Sequence, residues 1–168
     1  VILGLELSAK IEEGTSDMIA IIDYDAGNIK SVEKALQKLG QDVVITREEK
    51  SSILAADKVI LPGVGAFGDA MKNLNEYGLV EVIHQVVEKR IPFLGICLGL
   101  QLLFEKSDES EGVKGLGILK GEVCRITGSR KGLRFRIWDG TLCIFRMTED
   151  SFGELKRTHM YISCILIT

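Results

Sequence analysis

The sequence predicts an α/β fold in three layers, with an open and mostly parallel sheet that has helices on both faces. From Met18 onward, short apolar runs alternate with segments whose apolar residues recur at helical spacing, a rhythm typical of a parallel sheet. The first run, Ile19 to Ile22, is continuously apolar, as expected for a strand buried on both faces. The composition agrees, since 168 residues that are 46% hydrophobic and 27% charged are ordinary for one globular domain.

The first half of this domain contains two further strands and one clear helix. Asn28 is predicted to cap the helix, and Gly40 is predicted to end it. The apolar residues expected on the inner face of the helix are Ile29, Val32, Leu36 and Leu39. Residues 42–46 and 58–61 are predicted to be short strands.

The second half continues the alternation. A helix is predicted over 79–90, with Lys89 and Arg90 in its last turn, where cations suit the helix dipole. Its apolar stripe consists of Leu79, Val82, Ile83, Val86 and Val87. The remaining predicted elements are a strand over 91–96, a helix over 98–106 and a strand over 122–126.

Charge, hydropathy and cysteine spacing exclude several classes of function. A net charge of −3 provides no basic surface for nucleic acid or an anionic membrane, and the apolar runs are too short to cross a bilayer. The four cysteines lack paired metal-ligand spacing, so no metal site is predicted. Because no secretory signal is visible, a reducing cytoplasm is the expected location.

The strongest candidate for chemistry is Cys97. It stands between Gly95 and Gly99 at the end of the fourth predicted strand. Glycines two residues before and after a nucleophile permit the tight turn that exposes its side chain above a sheet. A helix that begins at the sulfur would favour the thiolate, and its first amides could hold an oxyanion. The alternative is a cysteine buried in the core, a common fate for this residue.

A second glycine-rich segment, Pro62 to Gly68, follows the third predicted strand. Its glycines let backbone amides approach a ligand closely, at the edge where parallel strands present their carboxyl ends. Taken alone it could hold a phosphate or simply turn the chain. Together with the cysteine turn, it predicts the second wall of an oxyanion hole.

Three segments carry a resemblance to a known family. Asp23 to Asn28, Leu61 to Met71 and Gly95 to Leu103 resemble the glutaminase subunit of imidazole glycerol phosphate synthase, a class I glutamine amidotransferase of flavodoxin-like fold. The resemblance implies that a cysteine attacks the side-chain amide of glutamine, with no cofactor. It also implies a heterodimer, in which ammonia passes to a (β/α)₈-barrel cyclase that makes imidazole glycerol phosphate and an aminoimidazole carboxamide ribotide for histidine and purine synthesis.

The resemblance assigns roles to individual residues. Cys97 matches the nucleophile, and the amides of Val64 and Leu98 match the oxyanion donors. The residues that match glutamine contacts are Gly63, Gly65 and Gln101. Asn28 lies in a segment that faces the barrel partner in the family, a role compatible with capping a helix.

The histidine and glutamate that complete the family's triad are not found in this sequence. No histidine is followed two positions later by glutamate: His84 is predicted to be a surface residue on the 79–90 helix, and His159 precedes Met160 and Tyr161. Without a base, turnover should fall by orders of magnitude. We therefore expect little or no glutamine hydrolysis from the chain as printed.

The genetic code offers an explanation. Read from the third base of each codon, residues 133–141 permit K-I-P-H-M-G-W-N, with the glycine forced, and residues 158–168 permit T-Y-V-Y-F-V-H-S-Y-Y, with the first valine forced. Both strings resemble segments of the same subunit, in the correct order and one phase. They predict a domain over 18–126 followed by a frameshifted tail over 127–168, with the break near 125–132. A genuinely divergent tail is the alternative.

The amino terminus raises a similar question. The first methionine is Met18, and Glu12-Glu13-Gly14 can be encoded by a ribosome-binding sequence. Residues 1–17 are therefore expected to be leader read through in frame, or else a true extension.

Two other classes of function stay open. A non-catalytic protein of the same fold could bind the barrel subunit without chemistry. The third hypothesis is another α/β protein with a cysteine at such a turn, for example a peptidase or a redox-responsive protein. The Pro62 to Met71 loop favours the amidotransferase over this hypothesis.

Overall fold

The computed structural model describes residues 17–125, 143–147 and 161–163. Its helices are α1 (Ile29–Lys38), α2 (Lys50–Ala55), α3 (Phe67–Glu76), α4 (Leu79–Glu88) and α5 (Leu98–Gln101). Its strands are β1 (Met18–Ile22), β2 (Asp42–Thr46), β3 (Lys58–Leu61), β4 (Phe93–Ile96), β5 (Phe104–Ser107), β6 (Leu119–Arg125), β7 (Cys143–Met147) and β8 (Tyr161–Ser163). No helix in this part of the chain is long and apolar enough to cross a membrane.

The main sheet has five parallel strands in the order β2-β1-β3-β4-β8. The chain moves outward from β1 to β2, returns across β1 to β3 and continues to β4. The order therefore reverses between β1 and β3, which makes that position the topological switch point of a doubly wound sheet. The predicted open, mostly parallel fold is confirmed.

Alternate residues of the central strands face opposite layers. Ile19, Ile21 and Ile60 pack against the half-buried face of α1, while Ala20 and Ile22 join the larger core with the other helices. Burial on both faces explains why these strands have no polar alternation. The apolar stripe of α4 enters that larger core as predicted, although Val87 is only half-buried.

The second sheet has the order β5-β6-β7, with β6 parallel to β5 and antiparallel to β7. This sheet corrects the prediction of a helix over 98–106, because α5 ends at Gln101 and β5 begins at Phe104. The physical reason lies in Leu102 and Leu103, both fully buried. Their carbonyls accept amide hydrogens from Leu116 at 2.8 Å and Leu119 at 2.8 Å, so they do not continue the helical ladder.

Both ends of α1 differ from the prediction. Asn28 occupies the cap position, but its side chain does not cap a backbone amide; it accepts a hydrogen bond from the Ser31 hydroxyl. Leu39 was predicted on the buried face and is instead 73% exposed. It follows the last helical residue, and Gly40 then turns the chain with φ of 74°.

Other predicted boundaries also shift. Helix α4 ends at Glu88, so Lys89 is its cap residue and Arg90 lies beyond it, with φ of 58°. His84, predicted at the surface, is half-buried. Helices α2 and α3 and strands β5, β7 and β8 were not predicted.

The predicted leader lies outside the described residues except for Asp17. So does the predicted tail, apart from the strand segments β7 and β8. The leader and the frameshift therefore stay predictions.

Candidate active site

The carboxyl ends of β1, β3 and β4 bring together the three segments that the sequence singled out. The loop after β1 carries Asn28, the loop after β3 carries Val64, and β4 ends at Cys97. A β-carbon placed on Gly27 would lie 3.1 Å from Cγ2 of Val64, so the first two loops touch. This edge, at the switch point, is where open α/β sheets bind ligands.

Cys97 has a strained backbone conformation, with φ of 53° and ψ of −119°. Such a conformation costs on the order of 1–3 kcal/mol for a residue other than glycine and persists only where its surroundings fix it. Gly95 and Gly99 are what allow it here. A β-carbon on Gly95 would lie 2.8 Å from Cα of Leu100, and one on Gly99 would overlap the carbonyl oxygen of Leu61. The predicted nucleophile turn is therefore present, and its cysteine is half-buried.

Helix α5, which follows the cysteine, is a single turn of four residues. The long helix expected to favour the thiolate by its dipole is therefore absent at this position, and the local amides matter more. The amides of Leu100 and Gln101 donate to the carbonyl of Cys97 at 3.0 Å and 3.3 Å. The Leu98 amide precedes these bonds, in the position of a first-turn donor outside the helical ladder. The side chain of Gln101 is half-buried one turn after the cysteine.

Gly63 is buried between two neighbours. A β-carbon there would lie 2.6 Å from the amide nitrogen of Gly99 and 2.9 Å from Cβ of Leu98. The loop after β3 thus packs backbone to backbone against the first turn of α5. Val64 is 53% exposed at the tip of this loop, and Gly65 has φ of 99°.

Tyr24 contacts the start of this loop. It was not predicted from the sequence as a residue of the site. Its side chain is buried, and its hydroxyl donates to the carbonyl of Pro62 at 2.8 Å. Burial raises the pKa of Tyr24 well above its usual value of 10.0, so the hydroxyl keeps its proton. Asn73 on α3 donates to the backbone carbonyl of Tyr24 at 3.0 Å.

Glu109 and Ser110 were also missed. The Phe67 amide donates to Oε2 of Glu109 at 3.4 Å, and the Gly68 amide donates to Oγ of Ser110 at 3.0 Å. These side chains satisfy amides at the first turn of α3, directly after the Val64 loop. No spacing in the sequence could have indicated this, since the partners are 42 residues apart.

An open groove of about 560 Å³ lies beside the loop after β1. It is lined by Asp23, Asp25, Gly27, Asn28, Ile29, Lys30 and Ile45. Arg47 forms ion pairs with Asp23, at 3.0 Å, and with Asp25. Asp25 also accepts a hydrogen bond from the Tyr77 hydroxyl. That hydrogen bond, and secondly Arg47, lower the pKa of Asp25.

His84 is the only histidine among the described residues, and it does not belong to this site. It lies on α4, whose carboxyl end leads within a few residues to the start of β4. Cys97 follows the other end of β4, a four-residue strand about 13 Å long. Within the described segments, no cluster of histidine, cysteine and carboxylate side chains could hold a metal ion.

The profile of the family described as glutamine amidotransferase class-I matches residues 20–162. The chain belongs to this family. A solved structure of a glutamine amidotransferase covers 77% of the chain with a TM-score of 0.57 and 21% identity, a likeness that concerns the fold.

Curated relatives of this class I amidotransferase refine the resemblance. The imidazole glycerol phosphate synthase subunit HisH of Methanocaldococcus jannaschii is 53% identical over 114 residues, which cover 68% of the chain and 56% of the relative. The subunit of the same name from Aquifex aeolicus is 59% identical over 103 residues, covering 61% and 50%. The resemblance stated from the sequence is confirmed. The chain spans about half the length of these relatives.

Proposed function

We propose that this class I amidotransferase is the glutaminase subunit of an imidazole glycerol phosphate synthase. The carrying observation is the backbone packing of Gly63 against Gly99, which sets the loop after β3 beside the strained Cys97. The relatives that bear this subunit's name support the assignment to this synthase.

In the proposed reaction, the Cys97 thiolate attacks the carboxamide carbon of glutamine. A carbon–sulfur bond forms, and the electron pair of the carbonyl moves onto oxygen. The amides of Val64 and Leu98 receive this oxyanion. When it collapses, the carbon–nitrogen bond breaks, and nitrogen leaves as ammonia after it takes a proton from water. Water then hydrolyses the thioester to glutamate and restores the thiolate.

The loops around Cys97 offer groups for the rest of the substrate. Gly63, Gly65 and Gln101 are proposed to contact glutamine, with the two glycines allowing close approach of the ligand to the backbone. No cofactor is needed, because bond breaking requires only a nucleophile, oxyanion donors and proton transfer.

The partner is proposed to be a (β/α)₈-barrel cyclase in a cytoplasmic heterodimer, which uses the ammonia to make imidazole glycerol phosphate and the carboxamide ribotide. Asn28 is exposed and lines the open groove beside the carboxyl ends of β1 and β2. A partner seated there would lie next to the Val64 loop, so that ammonia has a short path out of the site.

We further propose that the 168-residue chain binds glutamine analogues at Cys97 but turns over glutamine slowly or not at all. His84 lies in the middle of α4, which carries none of the residues of the site, and His159 lies outside the described residues. A non-catalytic protein that docks the barrel subunit is the second candidate, and the lack of a His-x-Glu pair in the sequence favours it.

One experiment tests the proposal and separates the candidates. The chain is incubated with the purified cyclase of a close relative, and association, glutamate release and Cys97 modification by a glutamine chloroketone are each measured. Association with Cys97 labelling supports the amidotransferase, and glutamate release at a normal rate would contradict the proposed lack of turnover. Association without labelling supports the docking module.

A further inference from the structure

We infer that Tyr24 is the positioning residue of the oxyanion site: its hydroxyl holds the Pro62 carbonyl and so fixes the loop after β3 against the turn that carries Cys97. The inference rests on the proposed function.

The first observation is the hydrogen bond itself. Tyr24 is 1% exposed, and its hydroxyl donates to the Pro62 carbonyl at 2.8 Å across 38 residues of sequence. A buried carbonyl that loses its donor is left unsatisfied. The carbonyl of Pro62 belongs to the peptide plane that includes the Gly63 nitrogen, so this bond fixes the plane that leads into the loop.

The second observation is where the phenol lies. A β-carbon on Gly63 would lie 2.5 Å from the Tyr24 hydroxyl oxygen and 2.6 Å from the Gly99 nitrogen. The phenol and the first turn of α5 therefore both close on the space beside Gly63. The Val64 amide, one residue further, and the Leu98 amide, one residue before Gly99, take their relative position from this contact.

The third observation is that Tyr24 is itself anchored. Asn73 donates to its backbone carbonyl at 3.0 Å, and α3, which carries Asn73, begins directly after the loop. Tyr24 therefore bonds to Pro62 at the start of the loop and to the helix that follows the loop. Because oxyanion donors must be placed before the reaction to be effective, a residue that sets their separation controls rate without touching substrate.

The test compares two electrophiles on the full chain. The chloroketone analogue of glutamine, L-2-amino-4-oxo-5-chloropentanoate, depends on the glutamine pocket and oxyanion donors, and the Cys97 thiolate displaces its chloride. Iodoacetamide also alkylates the thiolate by displacing iodide, but it needs no pocket. The ratio of the two rate constants therefore reports the oxyanion site separately from the reactivity of the thiol.

In Tyr24→Phe, which keeps the ring and removes the hydroxyl, we expect the chloroketone rate to fall about tenfold and the iodoacetamide rate to change less than about twofold. Ile53→Val is the matched control, because Ile53 is fully buried in the same core and lies on α2, away from the loop. It should leave the ratio unchanged. An unchanged ratio in Tyr24→Phe, or an equal fall in both rates, would overturn the inference.

A second variant and a measurement on the wild-type chain complete the test. If Tyr24→Phe does not fold by circular dichroism, Asn73→Ala removes the side-chain donor that anchors Tyr24 and should lower the ratio about threefold; an unchanged ratio there would overturn the inference. The wild-type chain separates the two proposals. If iodoacetamide modifies its Cys97 and the chloroketone does not, the proposed function itself fails.

Discussion

The amide nitrogen of Gly99 lies 2.6 Å from the place where a β-carbon on Gly63 would stand. Gly63 precedes one proposed oxyanion donor and Gly99 follows the other, so the contact joins the two walls of the site through their backbones. Side chains cannot enter this contact without pushing the walls apart.

Gly63→Ala should therefore damage both stability and the site. The added methyl overlaps backbone, which cannot yield as a flexible side chain can, and overpacking of this kind costs about 1–3 kcal/mol. We expect a matching loss in the free energy of unfolding by urea titration, together with slower chloroketone labelling of Cys97.

Gly40→Ala provides the comparison, since it meets no atom within 4 Å but has φ of 74°. It should cost about 1 kcal/mol through backbone strain alone and leave labelling intact. Equal labelling by both variants would contradict the role of the Gly63 contact.

Cys97→Gly should raise stability while abolishing alkylation at position 97. Glycine adopts the positive φ of 53° at this position without the strain that cysteine bears, so we expect a gain of about 1 kcal/mol in the free energy of unfolding. Arg90→Gly is the control: Arg90 also has positive φ, at 58°, and its replacement should stabilise the chain without changing the labelling of Cys97. A destabilised Cys97→Gly would argue against strain at the nucleophile.

Tyr77→Phe should raise the pKa of Asp25, because the Tyr77 hydroxyl is the first cause of its lowering. A carboxyl whose folded pKa is lowered stabilises the fold above its unfolded pKa, near 3.9, and this contribution is lost as pH falls through the folded value. Carboxyl titration by NMR checks the shift. Arg47→Met should also raise the pKa of Asp25. An unchanged pKa of Asp25 in both variants would contradict the interactions of Asp25 with Tyr77 and Arg47.

Leu39→Gln should change the free energy of unfolding by less than about 0.5 kcal/mol, since Leu39 is 73% exposed. Leu36→Gln should cost clearly more, because Leu36 packs against the cluster of Ile19, Ile21 and Ile60. Similar losses in the free energy of unfolding for both variants would contradict the exposure of Leu39.

The frameshift prediction is tested in DNA. Independent reads across codons 125–132 should reveal one inserted or deleted base relative to the frame that encodes both permitted strings. A single intact frame through 133–168 in all reads would refute it.

Strands β1 to β4 and the nucleophile turn could be predicted because their signals are local. Apolar runs such as Ile19 to Ile22 indicate a buried strand, and the glycines around Cys97 indicate a tight turn, without any contact from a distant part of the chain. Helix α3 was not predicted, although Phe67, Ala70, Met71 and Leu74 are spaced as i, i+3, i+4 and i+7. Gly68, its second residue, has a low helix propensity and indicates a loop instead.

The remaining features depend on contacts that are distant in sequence. Leu102 and Leu103 are as suited to a helix as to their actual place, and only the bonds from Leu116 and Leu119 decide it. The role of Tyr24 likewise requires Pro62 to arrive beside it, which the sequence near Tyr24 does not encode.

The most direct test of the central claim is peptide mapping after chloroketone treatment, with and without glutamine. The account predicts one modified cysteine, Cys97, and slower modification when glutamine is present, because both molecules occupy the same pocket. Modification spread over Cys97 and Cys124 without protection by glutamine would contradict it.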